Sequence, residues 1–229
     1  MRQMAFKVDE GARERLKGLN LGHMSFTGVK VQKKNPLVDQ AVDSACRKVR
    51  ERFADPSKIS GDSVIQGIRT LFSSVGLDPT KERPSGEALM RRVVGGSGIY
   101  RVNSVVDINN VVSLQTGCPC GVYDIGKIEG ETVTVSIGSP GQTYAGIGGK
   151  PMNAENRIVT IDSNSIFGGP TADSGRTCIT LETSEVLMLI YHPAGTPIEL
   201  LVRAMEEAKK QMERATGGKQ VNSGIFSIA

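Results

Sequence analysis

Long apolar runs are missing from this 229-residue chain: the longest strongly apolar stretch, Val186 to Tyr191, falls far short of the roughly 20 residues a membrane helix needs. The N-terminal stretch MRQMAFKVDEGARERL carries charges where a signal peptide would have its apolar segment, so membrane and secreted readings are both disfavoured. Histidine is almost absent. His23 and His192 have no nearby Cys or Asp to suggest a triad or a metal site, and both read as packing or surface residues. Of the four cysteines, only Cys118 and Cys120 lie close in sequence, and no second CxxC or Cys/His cluster accompanies them to hold zinc. They lack a basic neighbour that would lower a thiol pKa, so all four read as reduced thiols of a cytoplasmic protein, with no metal and no cofactor expected. A Walker phosphate loop is excluded as well, because Gly149-Lys150 is followed by Pro151 and Tyr144 stands where the loop's first glycine would be. GxSxG, HExxH and a dinucleotide fingerprint are also missing.

What is present is glycine, 27 residues of it, and charge that is unevenly spread. Residues 1–94 carry 18 Lys/Arg against 11 Asp/Glu, residues 95–200 carry 5 against 10, and residues 201–229 carry 5 against 3. A basic first part and an acidic middle permit a polyanionic partner on one side, although solvated helix faces carry such charge too. Asn35-Pro36 supplies an N-cap and a first-turn proline before apolar residues at helical spacing up to Asp55-Pro56. A second helical pattern runs from Val64 to Val75, and a third, short one follows Pro84-Ser85. From residue 95 the period changes: Thr132 to Ile137, Arg157 to Ile161, Thr177 to Leu181 and Val186 to Tyr191 read as strands, interrupted by a helix over Asp107 to Thr116. Thr196-Pro197-Ile198-Glu199 has the form of a capping box opening a helix that stops at Gly217-Gly218. These signals predict one α+β unit with a largely antiparallel sheet core. Its parts are a helical, basic N-terminal layer (1–94), a β-rich pocket region (95–195), a C-terminal helix (196–217) and a tail (218–229).

Polar residues gather at the ends of these elements: Asn109-Asn110, Tyr123-Asp124, Gly168-Gly169-Pro170-Thr171 and Asp173-Ser174-Gly175-Arg176-Thr177. Each segment alone suits a turn or cap. Together they suggest a pocket, since glycines let backbone amides approach a ligand and an amide such as Asn110 holds a carbonyl or amino group without supplying charge.

The stretch Asn103 to Thr183, from NSVVDINNVVSLQTGCPCGVYDIGKIEG through FGGPTADSGRTCITLET, resembles the editing and tRNA-binding domain formed by the third and fourth modules of the bacterial phenylalanyl-tRNA synthetase beta chain. Nearly the whole chain, including GLDPTKERPSGEALMRRVV, is similar to free-standing proteins built on that domain. The resemblance implies the synthetase domain's fold and a role at the acceptor end of tRNA, where the synthetase domain hydrolyses tyrosine wrongly esterified to the phenylalanine tRNA. Ligase activity is not implied, because the catalytic alpha chain and the anticodon-binding module have no counterpart here. The family's Thr-Asn pair falls on Asn109-Asn110 and its pocket glycine on Gly148 or Gly149. Its histidine falls on Gly121, and the glutamate that reads the tyrosine hydroxyl falls on Pro170. The expected substrate-binding residues are therefore Asn109, Asn110, Gly148, Gly149, Gly168, Gly169, Asp173 and Arg176. In this sketch Asn110 orients the aminoacyl group, the Gly168-Gly169 amides face the ester carbonyl, and Asp173 or Arg176 fixes the loop or the terminal ribose. Lys81, Arg83, Arg91 and Arg92, grouped around one short helix, are the expected RNA contacts. The expected partner is tRNA or aminoacyl-tRNA, with deacylation in trans. The alternative is a module that binds an amino acid or other small molecule without catalysis.

Overall fold

A computed structural model describes residues 3–229. The chain runs β1 (Ala5–Val8), β2 (Asn20–Thr27), α1 (Pro36–Arg52), α2 (Ser63–Ser74), α3 (Ser85–Val94), α4 (Ser104–Thr116), β3 (Cys120–Asp124), β4 (Thr132–Ile137), β5 (Thr143–Ala145), β6 (Pro151–Asn153), β7 (Ile158–Ile161), β8 (Ile166–Gly168), β9 (Glu185–His192), α5 (Ile198–Thr216) and β10 (Lys219–Ser227). One sheet has the order β10-β2-β9-β3 and is antiparallel throughout. A second has the order β1-β4-β7-β8, in which β1 joins β4 in parallel and the other pairs are antiparallel. β5 and β6 form a separate hairpin. The fold class is α+β.

Strand alternation explains how the layers stack. Along β9, Val186, Met188 and Ile190 join a core with residues of α1, α3, α4 and α5, while Leu187, Leu189 and Tyr191 join a second core with Val133, Val135, Ile158 and Phe167 of the other sheet. The first sheet is thus the middle layer, covered by helices on one face and by the second sheet on the other. Each fully buried aliphatic side chain here contributes about 1.5–3 kcal/mol. α1 opens as its sequence predicts: Asn35 Oδ1 accepts from the amides of Leu37 and Val38, with Pro36 in the first turn.

Four expectations are corrected. The 218–229 segment is not a tail, because Lys219–Ser227 pairs with β2 along its whole length and Ile228 is buried. The N-terminal region is not purely helical, since β1 and β2 come from it and β2 is an inner strand. Thr177 to Leu181 is a loop rather than a strand; the Thr177 carbonyl accepts from the Asp124 amide and the Cys178 carbonyl from Lys127 Nζ, outside any ladder. The capping box before α5 does not form, because Thr196 Oγ1 is engaged with His192 Nε2 and donates to the Pro193 carbonyl. Among the described residues no helix is long and apolar enough to cross a membrane.

Candidate functional site

α4 is buried around most of its circumference and organises the site. Asn103 caps it, accepting from the amides of Val105 and Val106 at 3.2 and 3.0 Å, and Gly117 ends it in the left-handed region at φ 79°. Ile108, Val111 and Val112 enter the helix-side core, which leaves Asn109, Asn110 and Ser113 on the face toward β3 and the 169–179 loop. Asn109 Nδ2 donates to the Cys120 carbonyl at 3.1 Å and Ser113 Oγ to the Cys118 carbonyl at 2.9 Å, fastening β3 to the helix. The close turn also requires Gly86 on α3, where a Cβ would lie 2.4 Å from the Gly117 carbonyl oxygen.

The 169–175 loop is held from both sides. The Ser85 amide at the start of α3 donates to the Pro170 carbonyl at 3.0 Å. On the other side Tyr144 of the β5–β6 hairpin donates through its hydroxyl to the Ala172 carbonyl, and the Gly175 amide and Ser174 Oγ both donate to the Ala145 carbonyl. Between helix, loop and hairpin lies a cleft of about 640 Å³. Its walls are mainly apolar, from Leu89, Val102, Val106, Val122, Ile147, Met152 and Ile179, with Tyr100 at the rim 71% exposed. Asn109, Asn110, Ser113, Thr171 and Asp173 supply its polar groups. A largely apolar enclosure with a few convergent polar groups is the usual form of a small-molecule site.

The chemistry concentrates at Asp173. Its Oδ1 accepts from the Tyr123 hydroxyl at 2.7 Å, and it forms no ion pair among the described residues. Burial pushes its carboxyl up from 3.8 to about 7, against the opposing pull of the Tyr123 hydroxyl and the Gly169 amide. Tyr123 lies edge-on to Phe167 with ring centroids 4.8 Å apart, and its hydroxyl fills a slot between two glycines. A Cβ on Gly121 would stand 2.1 Å from that oxygen and one on Gly168 2.2 Å from it. Burial also holds the Tyr123 phenol well above its ordinary range, so it donates and stays neutral. Two further polar atoms that belong to cleft-lining residues, Asn109 Oδ1 and Thr171 Oγ1, are buried without a protein partner.

The residues expected to bind substrate divide accordingly. Asn109, Asn110, Gly169 and Asp173 line the cleft together. Gly168 lies behind it in β8, and the Gly169 amide favours the Asp173 carboxylate rather than an incoming carbonyl. Gly148 and Gly149 stand on the exposed hairpin turn beyond Ile147. Arg176 faces away, donating to the Lys127 carbonyl at 2.9 Å and to Asp162 at 2.8 Å. Of the residues expected to touch RNA, Arg91 is engaged with Glu87, a fully buried carboxylate that Arg69 also grips with two hydrogen bonds. Arg92 stacks on Tyr100 with its guanidinium carbon 4.0 Å from the ring centroid, while Lys81 and Arg83 are exposed. The sequence groups Tyr123 with the pocket-end segments without giving it a binding role, and it does not single out Tyr100. The Gly121-Val122-Tyr123 spacing puts Gly and Tyr on one strand face, a signal for the first. Cys118 and Cys120 are free and buried, and burial pushes both thiols up, Cys120 to about 12.

Residues 67–228 match the family described as the B3/4 domain. The phenylalanine–tRNA ligase beta subunit of Gluconobacter oxydans (strain 621H) is 24% identical over 152 residues, 63% of this chain and 18% of that protein. The same subunit of Wolbachia sp. subsp. Brugia malayi (strain TRS) is 30% identical over 132 residues, 57% of this chain and 16% of that protein. The chain therefore spans only a small part of these relatives. A Bacillus subtilis (strain 168) protein described as uncharacterized protein YhzB is 21% identical over 215 residues, 94% of this chain and 96% of its own length. Among solved structures, an N-terminal fragment of the phenylalanyl-tRNA synthetase beta-subunit from Pyrococcus horikoshii is similar over 96% of this chain and 52% of that one, at 14% identity and a TM-score of 0.48.

Proposed function

Because the chain belongs to the B3/4 domain family, we propose that its cleft receives the aminoacyl end of a tRNA and hydrolyses the ester of a wrongly attached amino acid in trans. The observation that carries this reading is the pairing, in one cleft, of an apolar enclosure for a side chain with Asp173, a carboxyl that titrates near neutrality and is oriented by Tyr123. At neutral pH such a carboxylate takes a proton from a water attacking the ester carbonyl and returns it to the departing ribose oxygen. The unpartnered Asn109 Oδ1 accepts from the substrate ammonium, and Asn110 lies beside it on the same helix. No thiol nucleophile is required, and the buried Cys118 and Cys120 are ill suited to be one.

Incubation with a panel of tRNAs carrying correct and incorrect amino acids, with release of the amino acid as readout, tests the reading. Release from mischarged tRNA that is lost in Asp173→Asn supports it. No release from any of them, together with a thermal shift produced by a free amino acid, replaces it with a small-molecule binding module.

A further inference from the structure

The packing of the two sheets brings two further hydroxyls toward that of Tyr123. The Tyr123 ring runs back along β3, so that its oxygen stands over Gly121, and Gly121 pairs with Leu189 of β9. The next residue of β9 on that face is Tyr191, whose amide donates to the Pro119 carbonyl. On its other side the Tyr123 oxygen abuts Gly168 of β8, and the register partner of Gly168 is Thr160 of β7, which shares the inter-sheet face with Ile158. Tyr191 and Thr160 are both buried, and neither hydroxyl meets a partner in hydrogen-bonding geometry among the described residues. Burial pushes the Tyr191 phenol up, with the Thr160 hydroxyl pulling the other way, so Tyr191 is neutral and keeps its proton. Buried hydroxyls without partners are rare enough to need a reason.

Counting protons supplies one. A neutral hydroxyl has a single proton, and Tyr123 spends its own on Asp173. The Tyr123 oxygen is left as an acceptor, made more electron-rich by the carboxylate its proton serves, and so attracts the Tyr191 proton better than the Thr160 oxygen does. We infer that Tyr191 is a positioning residue for the Asp173 carboxyl: its O–H dipole points at the Tyr123 oxygen, strengthens Tyr123 as a donor and thereby favours the ionised carboxylate. With bonding geometry unmet, the effect is carried by an oriented dipole in a low-dielectric interior. The other groups that face the carboxyl are Cys120 on β3, a neutral thiol, Tyr144 on the β5–β6 hairpin, whose proton goes to the Ala172 carbonyl, and the Gly169 amide. Arg157, the charge that acts on Tyr144, is paired with Glu82. The inference deepens the hydrolytic reading above, in which Asp173 is the base, and rests on that reading for its catalytic consequence.

Carbon NMR of the full chain labelled at its aspartate carboxyls, titrated from pH 4 to 9 and with the Asp173 signal assigned by its loss in Asp173→Asn, tests this. Tyr191→Phe should raise the proton affinity of Asp173 by about twofold to fivefold, the size expected from altering one charge-assisted hydrogen bond by roughly 10–30%. Tyr123→Phe removes the direct donor and should raise that affinity about tenfold or more. Adding Tyr191→Phe to Tyr123→Phe should then change nothing further, because the effect passes through the Tyr123 hydroxyl. Thr160→Val should leave the affinity the same or raise it by less than about twofold. Tyr191→Phe and Thr160→Val keep the shape of the inter-sheet core and remove only unpaired hydroxyls, and thermal melts verify that every variant is folded. An unchanged midpoint in Tyr191→Phe, or an effect of Tyr191→Phe that persists without the Tyr123 hydroxyl, would overturn the assignment and leave the hydrolytic reading standing. A lowered affinity in Thr160→Val would do the same, since it would place the Tyr191 proton on Thr160. The expected changes together with no release from any mischarged tRNA would overturn the hydrolytic reading alone, and a midpoint near the ordinary 3.8 in the unaltered protein would overturn both.

Discussion

Replacing Asp173 by Asn should flatten one particular part of the stability profile. In the folded chain this carboxyl titrates at about 7 instead of 3.8, so between those values the native state holds a proton that the unfolded chain releases. Its contribution is fully present below about pH 4 and is lost as the pH rises through about 7. Three units at ~1.36 kcal/mol each set a ceiling of ~4 kcal/mol. Asp173 is only partly buried as a residue, and solvent screening leaves about 1–3 kcal/mol to be seen. Asn keeps an acceptor for the Tyr123 hydroxyl but carries no charge to desolvate. Denaturant unfolding at half-unit steps from pH 5 to 8 should therefore show Asp173→Asn gaining on the unaltered protein as the pH rises, up to that amount. The difference curve isolates the effect. Glu87 and Asp162 have lowered carboxyl pKa values, so their stabilising contributions are lost at pH values below this window and cancel between the two proteins. His23 and His192 are held lower by burial, so they cost stability as the pH falls below about 6.5, with the opposite sign and equally in both. A difference that stays flat from pH 5 to 8 would refute the shifted carboxyl and, with it, the assignment of Asp173 as the cleft's base.

Gly168→Ala places a methyl 2.2 Å from the Tyr123 hydroxyl and should cost about 1–3 kcal/mol in chemical denaturation, while Gly61→Ala, with nothing within 4 Å of the new Cβ, should stay within about 0.5 kcal/mol. Equal effects at the two sites would mean that the slot is not tightly filled. Truncation after Gly218 removes β10 and exposes the edge of β2, and it should abolish a cooperative thermal transition followed by circular dichroism; a truncated chain that melts like the full-length one would contradict the pairing. Alkylation of the native protein at pH 8, read by mass spectrometry, should label the partly exposed Cys178 first and leave the buried Cys46, Cys118 and Cys120 protected; prompt labelling of Cys118 would be the contrary result.

Elements with strong local signals were legible before the fold was known. α1 has a capping Asn and a first-turn Pro, β4 alternates along TVTVSI, and α4 ends at a glycine in the left-handed region. The misses share a cause, which is that pairing at long range outweighs local pattern. β2 reads NLGHMSFT and is paired on both edges and covered on both faces, so it has no polar alternation to reveal it. β10, KQVNSGIFS, is polar enough to resemble a tail until β2 supplies its partner. Thr177 to Leu181 has the composition of a strand, yet its carbonyls are taken by single contacts from Asp124 and Lys127. Within the site, Asn109, Asn110 and Asp173 were visible as candidates because they cluster with turn residues. The Tyr123–Asp173 pair was not, because 50 residues separate its members and only the packing of β3 against β8 and the following loop joins them.

In the proposed reading, that pair also governs which substrate the cleft rejects. By the resemblance, Gly121 and Pro170 stand where the synthetase domain carries a histidine and the glutamate that reads a tyrosine hydroxyl. Pro170 offers only its carbonyl, and the Ser85 amide already occupies it. The space beside Gly121 is filled by the chain's own Tyr123 hydroxyl, which also takes Asp173 Oδ1. The protein thus satisfies its buried carboxyl with an internal phenol instead of a substrate's. Asn109 Oδ1 and Thr171 Oγ1 remain unpartnered, and in the reading above the first receives the ammonium. A cleft without a carboxylate reserved for a hydroxyl separates phenylalanine from tyrosine weakly, by at most about 100-fold, whereas a site built to hydrogen-bond that hydroxyl separates them by about 10,000-fold or more. Deacylation rates on one tRNA charged with tyrosine, phenylalanine or smaller amino acids should accordingly fall off gradually with side-chain size. A preference of about 10,000-fold for the tyrosyl ester would refute the internal-phenol account.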